Sequence, residues 1–232
     1  MNSQINDNQL SSFLTYLAEE VKTGADVLPS LKDISEKLGV SVSSLREELR
    51  VAREMGLVEV KPRRGIRLLS YSFSPIVLKS LTFAVSVDKQ MFRQFSDLRN
   101  HIEASYWYQA VSQLTREDIE ELNKIIINAT QKLDSDPIQI PHEEHRNLHM
   151  TIFSRLDNLF VKGILEAYWD IYETVGLSIY EDKAYLDRVW SYHRDMVEKI
   201  TQGDYLSGYQ ALIAHMDLLF QREQLKSKLY FE

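Results

Sequence analysis

A single stretch of this chain alternates apolar and polar residues, VEVKPRRGIRLLSY at positions 58–71, on either side of a Lys-Pro-Arg-Arg-Gly turn. That is the pattern of a β-hairpin, in which successive side chains point to opposite faces. From about residue 77 onward the apolar residues instead recur at helical spacing, and strand signals are absent. A chain with one short hairpin and no further strands cannot build its core around a sheet. Its bulk has to be packed from helices, and the expected fold class is mainly α.

The segments before the hairpin also read as helices. QLSSFLTYLAEEV at 9–21 carries apolar positions at helical spacing, and KTGADVLPS breaks the pattern with Gly24 and Pro29. Ser30 can cap the next helix, LKDISEKL, with Asp33 three residues on in the manner of a capping box. Gly39 stands at the usual C-terminal stop. VSVSSLREELRVAREMGL follows, and Ser41, Ser43 and Ser44 at its start can cap a helix and also bond phosphates. Gly56 closes it. Helix, helix, glycine turn, helix, then a hairpin with a basic tip is a winged helix-turn-helix, assigned to residues 1–70. SYSFSPIVLKSL, with Pro75, breaks the hairpin's alternation and leads into helical sequence; it is assigned as a linker over 71–80, and residues 81–232 read as an all-helical bundle.

Charge is distributed to match this division. The net charge is −7, yet residues 1–70 hold ten Lys/Arg against ten Asp/Glu, so the excess of acid lies wholly downstream. Within residues 37–67 eight basic residues face four acidic ones. DNA binding needs a local basic surface and not a basic protein, so this half is compatible with it. No cysteine is present, which excludes disulfides, thiolate nucleophiles and cysteine-type zinc fingers. No apolar stretch is long enough to cross a membrane, and MNSQINDNQLSSFL lacks the order of a signal peptide. A cytoplasmic protein without a membrane partner is expected.

The histidines are the main chemical signal in the second half. His145 and His149 are four apart and share a face if helical, while His193 and His215 lie in two further helical stretches. Four imidazoles brought together would suit a transition metal such as zinc. Surface or hydrogen-bonded core histidines are the other reading of the spacing alone.

The residues also carry a resemblance. LPSLKDISEKLGVSVSSLREEL followed by MGLVEVKPRRGIRLL resembles the DNA-binding domain of GntR-type transcription regulators in its Leu-Pro-Ser, Leu-Gly-Val-Ser, Leu-Arg-Glu and Gly-Leu-Val elements. The resemblance implies that Arg46 reaches a guanine edge from the recognition helix and that Lys32 contacts phosphate. It places Arg63, Arg64 and Gly65 at a wing tip able to enter the minor groove. Val42 departs from the pattern, since many relatives carry a second base-reading arginine there.

The second half resembles the FCD ligand-binding domain of the FadR-like subfamily. The likeness rests on Arg99 and Glu103, on Leu148-His149 with Asn158 nine beyond, on His193, and on Gly203-Asp204 with His215 eleven further on. In metal-binding members the ligands are one Asp and three His. The histidines match at His149, His193 and His215, and His145 stands at the aspartate position. Imidazole in place of carboxylate removes a negative charge and an oxygen donor, shifting preference from magnesium or manganese toward zinc or nickel. A centre with no charged ligand favours an anion from solution. The resemblance implies an effector site at Arg99, Glu103 and Asn158, where the arginine's fork would match the carboxylate of a small organic acid. Its empty-state alternative is an Arg99–Glu103 ion pair.

A metal-dependent hydrolase is disfavoured: HEEHRNLH is not an HExxH arrangement despite Glu143 and Glu144, and no Gly-x-Ser-x-Gly or phosphate loop occurs. An effector-independent DNA-binding dimer is the other alternative. The reading favoured by the whole chain is a non-enzymatic, ligand-responsive repressor. It would act as a homodimer on double-stranded DNA with a short palindromic operator, with a divalent metal in its helical half.

Overall fold

The computed structural model describes residues 10–176 and 183–229. The chain splits into two compact units, Met1–Ile76 and Val77–Glu232.

In the first unit, α1 (Ser12–Lys22), α2 (Leu31–Leu38) and α3 (Val42–Glu54) precede a two-stranded antiparallel hairpin of β1 (Val58–Lys61) and β2 (Gly65–Leu68). Each helix opens on a serine whose side chain accepts a bond from the backbone two or three residues into the first turn: Ser11 from Leu14 N–H, Ser30 from Asp33 N–H and Ser41 from Ser44 N–H. The Ser30–Asp33 pair makes half of the expected capping box. The Ser30 hydroxyl donates to Asp33 Oδ2 at 2.7 Å, so the carboxylate is occupied by the side chain. The hairpin register pairs Val58 with Leu68 and Val60 with Ile66, as the alternation requires. Val58 and Ile66 turn inward onto Phe13, Leu17, Leu28, Ile34, Leu45 and Ala52. Leu28 N–H donates to Ile66 O and Leu68 N–H to Asp26 O, so the α1–α2 connection is tied to β2 by an isolated antiparallel bridge between Val27 and Arg67. Gly56 has φ 72°, and a Cβ there would sit 2.6 Å from Pro75 Cγ, so only glycine fits between α3 and β1.

Residues 71–80, expected as a linker, lie mostly in α4 (Ser74–Val87). Pro75 fits this helix because it falls in the first turn, where its missing N–H has no intrahelical partner to lose.

The second unit holds the rest of α4 and six further helices: α5 (Gln90–Val111), α6 (Arg116–Leu133), α7 (His142–Ile152), α8 (Leu159–Gly176), α9 (Lys183–Gln202) and α10 (Tyr205–Leu229). Helix α9 packs on α6 and α10, α7 on α6 and α8, and α5 on α8 and α10. Thr115 and Asp118 form a complete capping box at the start of α6. The core runs through Trp107, Leu122, Leu148, Leu156, Leu165, Trp169, Met196 and Leu212. Trp107 Nε1–H donates to Tyr205 O at 2.9 Å, fastening α5 to the start of α10. Gly208 permits this approach, since a Cβ there would lie 2.9 Å from Trp107 Cζ2. His215 follows seven residues later, two turns along the same face of α10.

Candidate metal and effector site, and the DNA-facing unit

The four histidines predicted from spacing meet at one point. His145 and His149 come from α7, His193 from α9 and His215 from α10, each offering a ring nitrogen, and these four atoms all lie within 4.8 Å of one another. His149, His193 and His215 are fully buried, and His145 is 5% exposed. Helix α7 is tied to α6 by Glu144, whose Oε2 accepts a bond from Lys132 Nζ at 2.8 Å within an ion pair that brings Oε1 to 2.6 Å. Its first turn carries Glu143 and Glu144, as the positive end of a helix favours.

Burial, first, and then the neighbouring charges push the pKa values of His145, His193 and His215 well below the ordinary histidine value. For His145 those neighbours are His149, His215, Arg99 and His142. His149 is also lowered by burial, though Glu103 pulls the other way. The cluster is therefore neutral, the form in which imidazole binds a metal. His145 Nε2, His193 Nδ1 and both ring nitrogens of His215 have no hydrogen-bond partner among the described residues. Orphaned nitrogens in a dry interior are costly, and a shared ion would satisfy the inward-facing ones. The His149 and His193 Nε2 atoms are 3.2 Å apart. That is near the edge of about 3.3–3.4 Å expected for a tetrahedron with Zn–N bonds of ~2.0–2.1 Å. A four-nitrogen set without sulfur or carboxylate suits zinc, nickel or copper and not magnesium. The residues fit a metal.

Beside this cluster, Arg99 and Glu103 of α5 are both fully buried, with Arg99 Nη1 3.3 Å from Glu103 Oε2. Glu103 Oε2 also meets His149 Nδ1 at 3.1 Å. Burial alone would raise the Glu103 carboxyl, but the Arg99 charge and then His149 outweigh it and hold it below the usual carboxylate range. The Arg99 guanidinium lies over the Tyr168 ring at 4.6 Å and the Trp169 ring at 4.8 Å, and Nη1 donates to Asn100 Oδ1 at 2.9 Å. Its Nε and Nη2 have no hydrogen-bond partner among the described residues. Nothing in the sequence spacing of Tyr168 and Trp169 marks them as the platform under an arginine.

Asn158 lies immediately before α8. Its Oδ1 accepts from Phe160 N–H and Val161 N–H at 3.1 Å each, capping α8, and its Nδ2 donates to Tyr106 Oη at 3.2 Å. Asn158 thus caps α8 and ties it to Tyr106 of α5.

In the first unit, Lys32, Ser43, Ser44 and Arg46 are exposed on the first turns of α2 and α3, and Ser41 caps α3. Arg46 makes no ion pair among the described residues. Glu48, the carboxylate two residues on, accepts the Ser11 hydroxyl instead. Arg63 and Arg64 sit exposed at the hairpin tip beside Gly65, with Arg63 at φ 64°. Glu59 takes up Lys61 at 2.8 Å and Arg67 at 3.8 Å, leaving the two tip arginines without a carboxylate partner among the described residues.

Comparison with known proteins agrees with both halves. Residues 17–68 match the bacterial regulatory proteins of the gntR family, and residues 94–218 match the FCD domain. This chain belongs to the GntR family and carries an FCD domain. The GntR–FCD chain is 22% identical over 202 residues to the HTH-type transcriptional regulator LutR of Bacillus subtilis (strain 168), covering 85% of this chain and 90% of that protein. Streptococcus agalactiae GntR shares its fold with a TM-score of 0.65 at 17% identity, over 90% of this chain and 96% of that one. E. coli McbR/YncC does so at 0.50 and 18%, over 93% and 95%. The GntR–FCD chain is thus a DNA-binding transcription regulator. Among its described residues no helix is long and apolar enough to cross a membrane.

Proposed function

We propose that this GntR–FCD protein is a cytoplasmic repressor that binds a short palindromic operator as a homodimer and is controlled by a small organic acid. Its FCD domain holds one divalent ion, zinc before nickel, on His145, His149, His193 and His215. The acid's carboxylate is met by Arg99. The observation that carries this reading is the pairing of two unfinished sites in one dry interior: clustered imidazoles with nitrogens that have no hydrogen-bond partner among the described residues, and an arginine with two nitrogens, Nε and Nη2, in the same state. Glu103 already neutralises one side of Arg99, so an incoming carboxylate adds the second set of bonds and costs little further desolvation of the guanidinium. On DNA, Arg46 reads a base edge, Lys32 and Ser41, Ser43 and Ser44 contact phosphate, and Arg63, Arg64 and Gly65 approach the minor groove. The acid acts by binding one placement of the DNA-binding units better than another, with a coupling of ~1–3 kcal/mol.

The test is selection of genomic fragments by the purified protein, with and without a chelator. A recovered palindrome whose grip changes on chelation, or on adding organic acids, supports the reading. A palindrome bound equally under every metal and acid condition would instead make the chain an effector-independent dimer. No enrichment at all would sink the operator assignment.

A further inference from the structure

A site whose four donors are buried must still be reached by its ion. The structure has a third histidine on α7 that the metal centre does not use. His142 is the first residue of the helix, three before His145 and seven before His149, a spacing that lays all three along one side of α7. Burial deepens along that row: His142 is half-buried, His145 is 5% exposed and His149 fully buried. A cavity of about 10 Å³ lies at the shallow end, with His142 and His145 in its wall and Ile140, Leu186, Val189 and Trp190 making the remainder largely apolar. That is room for one water-sized particle.

We propose that His142 is the outer station of a metal route, taking a divalent transition ion from solution and passing it through this opening to His145. This rests on reading the four histidines as a metal centre. The chemistry is ligand exchange. The His142 nitrogen replaces one water of the hydrated ion, His145 then replaces another, and His149, His193 and His215 displace His142 and the remaining waters, which return to solvent through the same opening. Neutral imidazole replaces neutral water at each stage, so charge and protons balance without an outside reactant. The apolar walls favour an ion that has already exchanged water for imidazole over a fully hydrated one, which is the reason a ligating side chain belongs at the mouth.

The experiment follows cobalt(II) uptake by the metal-depleted full chain in stopped flow, through the visible absorption of the bound ion, with release followed by chelator. In His142→Ala, association and dissociation should both slow by about tenfold while the equilibrium affinity stays within about twofold, because a relay lowers a barrier and leaves the end states alone. His142→Asp, which can still ligate, should recover most of the lost rate. Unchanged rates in His142→Ala would overturn the relay and leave the metal centre standing. A fall in affinity with unchanged association would overturn it too, by making His142 a ligand or a structural residue. If the parent chain itself takes up no cobalt, the metal-centre reading fails and the route falls with it.

Discussion

Glu103 of α5 and His149 of α7 meet through a single carboxylate oxygen, with Oε2 lying 3.1 Å from the Nδ1 of the imidazole and 3.3 Å from Arg99 Nη1. The carboxyl is held ionised, so it can only accept, and the proton of a neutral His149 must sit on Nδ1. The lone pair is thereby assigned to Nε2, the atom 3.2 Å from His193. In the ion's absence His193 has to donate there, and with an ion both lone pairs can face it. One contact therefore joins the arginine that would meet the effector to the histidine that would hold the metal.

Glu103→Gln should weaken both. Metal affinity is expected to fall 10–100-fold, because the Nδ1–H of His149 loses its anionic partner. The metal-free protein should lose ~3–5 kcal/mol in denaturant unfolding, since Arg99 is left as a buried uncompensated charge. Competition titration with a chromophoric chelator reads the first and urea melts the second. Unaltered metal affinity would mean that the contact does not tune His149.

Metal should stabilise the helical unit, because the ion binds the folded cluster and not the dispersed histidines of the unfolded chain. Zinc at about 1,000 times its Kd corresponds to ~4 kcal/mol and a visibly higher Tm. His149→Ala should abolish that increment and retain no ion after dialysis. An equal rise in Tm for the variant would contradict the four-histidine site.

At the DNA-binding end, Arg46→Ala should cost ~1–3 kcal/mol in operator affinity and relax base preference at one position. Lys32→Ala should weaken all sequences alike and reduce the slope of log K against log salt by about 1, as expected for a lost phosphate contact. Binding selections across salt concentrations separate the two. If Arg46→Ala keeps the parent's preference at every position, α3 is not reading bases.

Acid stability should report on Asp118. Its carboxyl is lowered from 3.8 to about 2, first by the hydrogen bond from Arg155 (2.8 Å to Nε) and then by the Thr115 cap, with burial opposing. The unfolded chain takes up this proton at higher pH than the folded one does. The stabilisation is thus complete above pH 3.8 and is lost as pH falls toward 2. Asp118→Asn should flatten the pH dependence of unfolding in that window and cost ~1 kcal/mol at neutral pH. An identical acid melting profile in the variant would place the acid-sensitive carboxylates elsewhere.

The features the amino-acid order determined by itself are those whose causes lie within a few residues. Serine and threonine caps at Ser30, Ser41 and Thr115, the alternating strands around the Arg63–Gly65 tip, and the shared face of His145 and His149 all follow from local periodicity and local hydrogen bonding. The 71–80 linker shows where local reading falls short, since most of that stretch lies in α4, with Pro75 in the first turn where its missing N–H costs nothing. The tertiary structure alone decided which distant groups share a dielectric. Glu103 meets His149 across 46 residues of sequence, and Arg99 comes to rest on Tyr168 and Trp169. Helices α7, α9 and α10 deliver four imidazoles to one point. No short-range pattern encodes those meetings, because they are set by how whole helix faces pack. Burial then gives them their chemistry, turning ordinary histidines neutral and leaving an arginine with bonds still to make.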